Sequence, residues 1–257
     1  MFKFLLISLL GITMVSAQTT VIDSLTAQDS VHNIKFNYKQ LILPAALLSY
    51  GFIGLESHPI QNINTKIRDE VKEDIDQKIT IDDFSQYAPA ASVYALNAMG
   101  IKGKNRFKDR TIIMATSYAI MASSVFALKS ITKIERPDGT TNNSFPSGHT
   151  ANAFAGAEFL WQEYKDTSVW YGIAGYAVAA GTGAFRIVNN RHWLTDVAAG
   201  AGIGILSTKI AYWLYPFIND TLFGNSSKDV SKERKTSFSF APTYNGSQVG
   251  GVLIIQF

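Results

Sequence analysis

The chain of 257 residues has no cysteine, so neither a disulfide framework nor a thiolate metal site can exist, and cysteine usage leaves the redox compartment open. Charge of one sign is scarce as well: 23 basic and 20 acidic residues leave a formal net charge of +3. With no long basic run interleaved with aromatics, that balance argues against a nucleic-acid partner. There is no internal repeat and no glycine-rich nucleotide loop. Histidine is sparse too, with 4 in all, yet His149 and His192 both fall within 129–196. What is plentiful is apolar: 47% of residues are hydrophobic and the mean hydropathy is +0.07. Those values sit between a soluble enzyme and a polytopic membrane protein. The length suits one large domain, or one domain with appendages.

Residues 1–17 read as a secretory signal. Lys3 supplies the positive start, 4–15 an apolar stretch too short for a comfortable span, and Val15-Ser16-Ala17 a small-residue cleavage site. The mature chain would begin near Gln18; the alternative is an uncleaved N-terminal anchor, and either exports the protein. Residues 18–84 are expected to form an N-terminal helical region. Within it, 41–55 is an apolar run containing Pro44, short of the roughly 20 residues a bilayer span needs. The stretch 62–83 is the most charged of the chain. Ile67, Val71 and Ile75 recur there every four residues among charges, the pattern of an amphipathic helix with a solvated face. A helix over 83–99 follows, with Pro89 near its start and Gly100 as its stop.

The core is expected over 85–218. Residues 111–128 carry no charge and are bracketed by Arg110 and Lys129. This run fits either a transmembrane helix at the lower limit of length or the central buried helix of an all-α domain. A second helix is expected over 150–164. A third uncharged run, 168–185, contains Gly172, Gly175, Gly181 and Gly183, small residues that suit close helix contact. The last helix, 196–217, has small residues at 198–204 and Trp213 and Tyr215 late, at a membrane interface or at the edge of a core. Residues 219–236 read as a linker. Residues 237–257 flank Asn245-Gly246 and read as a β-hairpin. An isolated hairpin is marginal in water, so it should pack on the helical body or on a membrane surface.

Three short clusters carry the chemistry. Lys129 and Arg136 are seven apart, near two helical turns, so one helix face can hold both, and Pro137 helps end that helix. Pro146-Ser147-Gly148-His149-Thr150 precedes a helical pattern. Unpaired N–H groups at a helix start attract anions, Gly148 permits close backbone approach, and His149 can donate a proton to a leaving oxygen. The bland alternative is a Ser147 N-cap beside a satisfied histidine. His192 and Asp196 are spaced i, i+4, so that Asp196 can accept the Nδ1 proton and leave Nε2 free to attack. Arg186 can present a planar fork to the oxygens of a phosphate. The bland alternative here is Asp196 as a helix cap and His192 as a loop residue.

In this order and at these spacings, the clusters resemble the three motifs of the type 2 phosphatidic acid phosphatase superfamily: Lys-x6-Arg-Pro, Pro-Ser-Gly-His and Ser-Arg-x5-His-x3-Asp. The one departure is Phe185, where the family usually has Ser. The resemblance covers about 85–214. It implies an all-α helical bundle and phosphoester hydrolysis needing neither cofactor nor metal. Carried over, His192 is the nucleophile that forms a phosphohistidine, Asp196 orients it, and His149 protonates the leaving alcohol. Lys129, Arg136, Ser147, Gly148 and Arg186 bind the phosphoryl group. The substrates implied are lipid phosphates or isoprenoid diphosphates, with a membrane-associated enzyme whose site faces the periplasm. A soluble periplasmic or secreted acid phosphatase and a vanadium haloperoxidase are the alternatives. All motifs should lie at the same end of the bundle.

Overall fold

The computed structural model describes residues 38–74, 80–223, 237–244 and 249–256. The expected export signal, most of the expected linker and the Asn245-Gly246 turn lie outside them. The chain divides into Met1–His32 and Asn33–Phe257, and every described residue belongs to the second unit.

After a 3-10 turn at Tyr38–Leu41 come α1 (Ile42–Ile53), α2 (His58–Asp74), α3 (Ile81–Ser85), α4 (Ala88–Ala98), α5 (Phe107–Thr132), α6 (Gly148–Tyr164), α7 (Val169–Val188) and α8 (Leu194–Phe223). The all-α expectation holds for this bundle. Two further segments, β1 (Ser237–Tyr244) and β2 (Val249–Gln256), are paired antiparallel with Ser237 opposite Gln256; their side chains lie outside the described residues.

The centre of the bundle is α6, which packs against α4, α5, α7 and α8. Its Ala151, Ala153, Ala155 and Ala157 are completely buried, because small side chains let several neighbours approach one helix at once. The closest approach is that of α8. A Cβ at Gly204 would collide with the Ala151 carbonyl, and one at Gly200 would lie 2.5 Å from the Ser147 carbonyl oxygen. On α7, Gly172, Gly175 and Gly183 meet Trp161, Leu160 and Val197, whereas Gly181 faces open space. A buried Lys209–Glu158 ion pair of 2.6 Å also ties α8 to α6.

The uncharged run 111–128 forms most of α5, and α5 is not the buried centre. Only 22% of its most apolar window is buried, and Phe126 and Ile131 are about three-quarters exposed, at 74% and 76%. Among the described residues, α5 and α8 are long and apolar enough to cross a membrane. The segment Tyr38–Ile53 with His58–Glu73, bent by 90°, would make a third span if taken as one.

Several expected boundaries are corrected. The helix expected over 83–99 is two helices, α3 and α4, separated at Gln86 and Tyr87. Pro89, lacking an N–H, is suited to the first turn of a helix and not to its interior, so it starts α4. Gly100, at φ 90°, does stop it. Helix α8 runs through Pro216 to Phe223, into the stretch read as linker. Lys129 and Arg136 do not share a helix face, because α5 ends at Thr132, where Lys133 turns left-handed at φ 48°.

Packing of α8 on α6 makes a contrast testable in detergent. Gly204→Ala should lower the unfolding free energy by about 1–3 kcal/mol through overpacking. Gly181→Ala should leave it unchanged or raise it by up to about 1 kcal/mol through helix propensity. Equal unfolding midpoints for the two variants would contradict this packing.

Candidate active site

The motifs meet at one end of the bundle, where α5 and α7 finish and α6 and α8 begin. A cavity of about 280 Å³ opens there, lined by Thr80, Asp82, Asp83, Arg136, His149, Arg186, Asn189 and Arg191.

Arg186, in the last turn of α7, is only 7% exposed. Its Nη1 donates to Asp82 Oδ2 at 2.5 Å, and Asp82 Oδ1 accepts from Asn189 Nδ2 at 3.0 Å. Its Nε is buried with no partner among the described residues. A buried N–H of a permanent cation without an acceptor is costly, and a bound anion would remove that cost. Arg136 is held by the loop after α5. Its backbone N–H bonds the Thr141 carbonyl at 3.0 Å, and its Nε donates to Asn143 Oδ1 at 2.9 Å. Burial, and then the charges of Arg186 and Arg191, lower its affinity for a proton, the mark of cations crowded without enough counter-charge. The Lys129 ammonium, from the last turn of α5, donates to the carbonyls of Asn143 and Ser144.

The second half of the site is the turn between α7 and α8. The Arg186 carbonyl accepts from the N–H groups of both Arg191, at 3.0 Å, and His192, at 3.2 Å. One residue therefore presents a cation with its side chain and fixes the histidine turn with its main chain. His192 is 2% exposed and Asp196 is wholly buried. Asp196 Oδ2 lies 3.4 Å from His192 Nδ1 and accepts from Ser144 Oγ at 2.5 Å and from the Trp193 N–H at 2.9 Å. The pairing expected from the i, i+4 spacing is present, but no helix face carries both residues. His192 precedes α8, and Asp196 sits in its first turn, where its carboxylate also reaches back to the entering backbone as in a capping box. Cap and partner are one carboxylate. Burial drives the His192 imidazole down to about 4 against the opposing pull of Asp196. Burial therefore favours the neutral form of the ring.

At the start of α6, Ser147 is the N-cap. Its Oγ accepts from the Thr150 N–H at 3.4 Å and from Thr150 Oγ1 at 2.8 Å. Its own N–H is engaged by the Asp196 carbonyl at 3.0 Å. A Cβ on Gly148 would meet only Val125, at 3.7 Å, so the protein's own packing does not demand a glycine there. The first N–H groups of α6 have no intrahelical acceptor. His149 Nε2 lies 3.0 Å from Asp83 Oδ1. Burial first, and then Arg186, lower the His149 affinity for a proton, against the opposing bond from Asp83.

Asp82, Asp83, Ser144 and Asn189 were not found in the sequence. The two aspartates end a run whose composition is that of a solvated face, and only the docking of α3 on α7 brings them inward. Asp82, Asp83 and His149 place three ligand atoms within 4.8 Å of one another. Each acid already serves a neighbour, Asp82 pairing with Arg186 and Asn189, and Asp83 with His149. The set is spent on ion pairs.

Residues 110–220 match the PAP2 superfamily. The chain is 41% identical over 157 residues to the lipid A 1-phosphatase of Porphyromonas gingivalis, covering 61% of this chain and 35% of that protein. It is 36% identical over 75 residues to the bacitracin transport permease protein BcrC of Bacillus licheniformis, covering 29% of this chain and 35% of that protein. The chain thus spans about a third, 35%, of each of these curated relatives. Among solved structures, Aquifex aeolicus LpxE aligns with a TM-score of 0.45 at 22% identity, covering 58% of this chain and 94% of that one. A transmembrane PAP2 type phosphatidylglycerolphosphate phosphatase from Bacillus subtilis aligns at 0.48 and 20% identity, covering 70% and 97%.

The crowded cations and the orphaned Nε of Arg186 make anion binding measurable without turnover. Inorganic phosphate at a hundred times its Kd should stabilise the fold by about 2.7 kcal/mol. In Arg136→Gln, which loses a guanidinium bonded to a loop asparagine, most of that stabilisation should disappear. An equal ligand-induced shift in wild type and variant would exclude Arg136 from the anion site.

Proposed function

We propose, starting from a chain whose residues 110–220 match the PAP2 superfamily, that the protein is a metal-independent phosphatase of phosphomonoesters acting through a phosphohistidine. The carrying observation is the joint placement of a buried His192 against Asp196, close enough to Lys129 and Arg186 to feel both charges, with a buried N–H of Arg186 unsatisfied among the described residues.

Lys129, Arg136 and Arg186 neutralise the phosphoryl oxygens, helped by the N–H groups at the start of α6. Positioning and charge neutralisation are the main requirements of phosphoryl transfer. His192 Nε2 attacks phosphorus while Asp196 holds Nδ1. The P–O bond to the alcohol breaks, its electron pair leaves with that oxygen, and His149 supplies the proton. Water then attacks the phosphohistidine, gives a proton to the now neutral His149 and releases phosphate and free His192. Ser147 contributes through the shape of the α6 start, since its hydroxyl is engaged in the cap, and Gly148 through open space.

The substrate proposed is a lipid phosphate or an isoprenoid diphosphate. The exposed apolar face of α5 supports a membrane enzyme, with α5 and α8 as spans. The curated relatives, a lipid A 1-phosphatase and a transport permease protein, weigh against the soluble acid phosphatase. In the same reading, 1–17 is an export signal, 18–84 an N-terminal helical region and 85–218 the catalytic bundle facing the periplasm. A linker over 219–236 joins a β-hairpin appendage at 237–257.

Phosphate release in detergent, with EDTA present, tests this. Wild type should hydrolyse short-chain phosphatidic acid in preference to p-nitrophenyl phosphate. His192→Ala should lose activity by on the order of 10⁴-fold. The rate should rise with pH as His192 loses its proton near pH 4, and fall on the alkaline side as His149 loses its own. Preference for the nitrophenyl ester would favour the soluble alternative, and full activity in His192→Ala would refute the mechanism.

A further inference from the structure

Helix α3 has only five residues, Ile81–Ser85, yet polar side-chain contacts pin it and the residue after it to α7 and α6. Ser85 Oγ pairs with Thr182 Oγ1 of α7 at 2.7 Å, and Asp82 takes Arg186 at 2.5 Å. Gln86, which follows α3, donates through Nε2 to the Asp83 carbonyl at 2.9 Å and accepts from Asn152 of α6 at 3.1 Å. The product of this scaffold is the placement of one half-exposed carboxylate: Asp83 Oδ1 stands 3.0 Å from His149 Nε2 and 4.0 Å from Arg186 Nη1.

Resting on the phosphatase reading above, we propose that Asp83 is a positioning residue for the acid–base histidine: it keeps the Nε2 proton on His149, so that Nδ1 is the nitrogen that gives and takes the catalytic proton. The charges facing His149 make such a partner necessary. Arg186 from α7, Arg136 from the loop after α5 and Arg191 from the turn before α8 share the cavity with it, and all favour the neutral ring. Among the described residues lining the cavity, only Asp82 and Asp83 of α3 favour the charged one, and Asp82 is committed to Arg186 and Asn189.

The proton count closes. The imidazolium starts with a proton on each nitrogen. As the P–O bond breaks, the Nδ1 proton moves to the departing alkoxide, and neutral His149 keeps the Nε2 proton shared with Asp83. Its free Nδ1 then removes a proton from the water that attacks phosphorus, restoring the imidazolium. Without the Asp83 charge the ring would be protonated in a smaller fraction of molecules, and its neutral form could adopt the wrong tautomer.

Leaving-group dependence separates this from a structural role. An alkoxide leaves poorly without a proton, whereas p-nitrophenolate leaves without one. The comparison uses kcat/KM, which reports steps up to formation of the phosphoenzyme. Asp83→Asn keeps the shape and removes the charge. It should lower kcat/KM on short-chain phosphatidic acid by about 10- to 100-fold, up to the lower limit of what a general acid contributes. The loss should exceed that on p-nitrophenyl phosphate by about tenfold, and the alkaline limb of the profile should move to lower pH. Asp83→Glu should recover part of both effects. Equal losses on the two substrates, or an unmoved alkaline limb, would overturn the inference. Wild-type activity that vanishes in His192→Ala establishes the phosphatase reading independently. If wild type hydrolyses neither ester, that reading fails and the role of Asp83 fails with it.

Discussion

A guanidinium buried at a helix end is expensive, and much of this site can be understood as the means of keeping Arg186 there. Its side chain needs counter-charge on more than one side. Asp82 supplies one partner, but Nε has none among the described residues. A bound anion would relieve an incompletely satisfied, desolvated cation of this kind. The same residue's carbonyl gathers the N–H groups of Arg191 and His192. The position of His192 therefore follows from that of Arg186, whose carbonyl lies in the last turn of α7.

The packing of the helices explains why those groups can meet. Small residues on α6 and α8 bring the two backbones into contact near Ser147, so the Ser147 N–H reaches the Asp196 carbonyl and locks the two helix starts together. Ser144 then lies within reach of the Asp196 carboxylate. Precision at the site is inherited from glycine and alanine further down the bundle. The apolar exterior of α5 plays no part in that precision. It is what a helix needs when lipid replaces protein as its neighbour.

The motif residues were legible in the sequence because their types are chemically scarce: two of four histidines and three cations at fixed spacings. Their local geometry was less legible. A separation of seven suggested one helix face for Lys129 and Arg136, but Lys133 adopts a left-handed conformation and opens a loop between them. The spacing of His192 and Asp196 looked helical and is instead a turn closed by a cap. The uncharged run 111–128 had two readings because burial in protein and burial in lipid select the same composition. The structure separates them through the exposure of Phe126 and of most of the apolar window of α5. Asp82 and Asp83 were invisible for a stronger reason. An acid on a solvated face and an acid folded against an arginine are identical in sequence, and only the tertiary contact of α3 with α7 distinguishes them.

The central claim is covalent: phosphate passes through His192. The most direct measurement is rapid quenching of wild type during turnover of a labelled phosphomonoester, followed by peptide mapping of the trapped protein. The account predicts a phosphoryl group on His192, stable to alkali and lost in acid, and absent when Asp83, Asp196 and His149 are intact but His192 is alanine. Turnover with no trapped phosphoryl group under alkaline quench, or a label on any other residue, would contradict it.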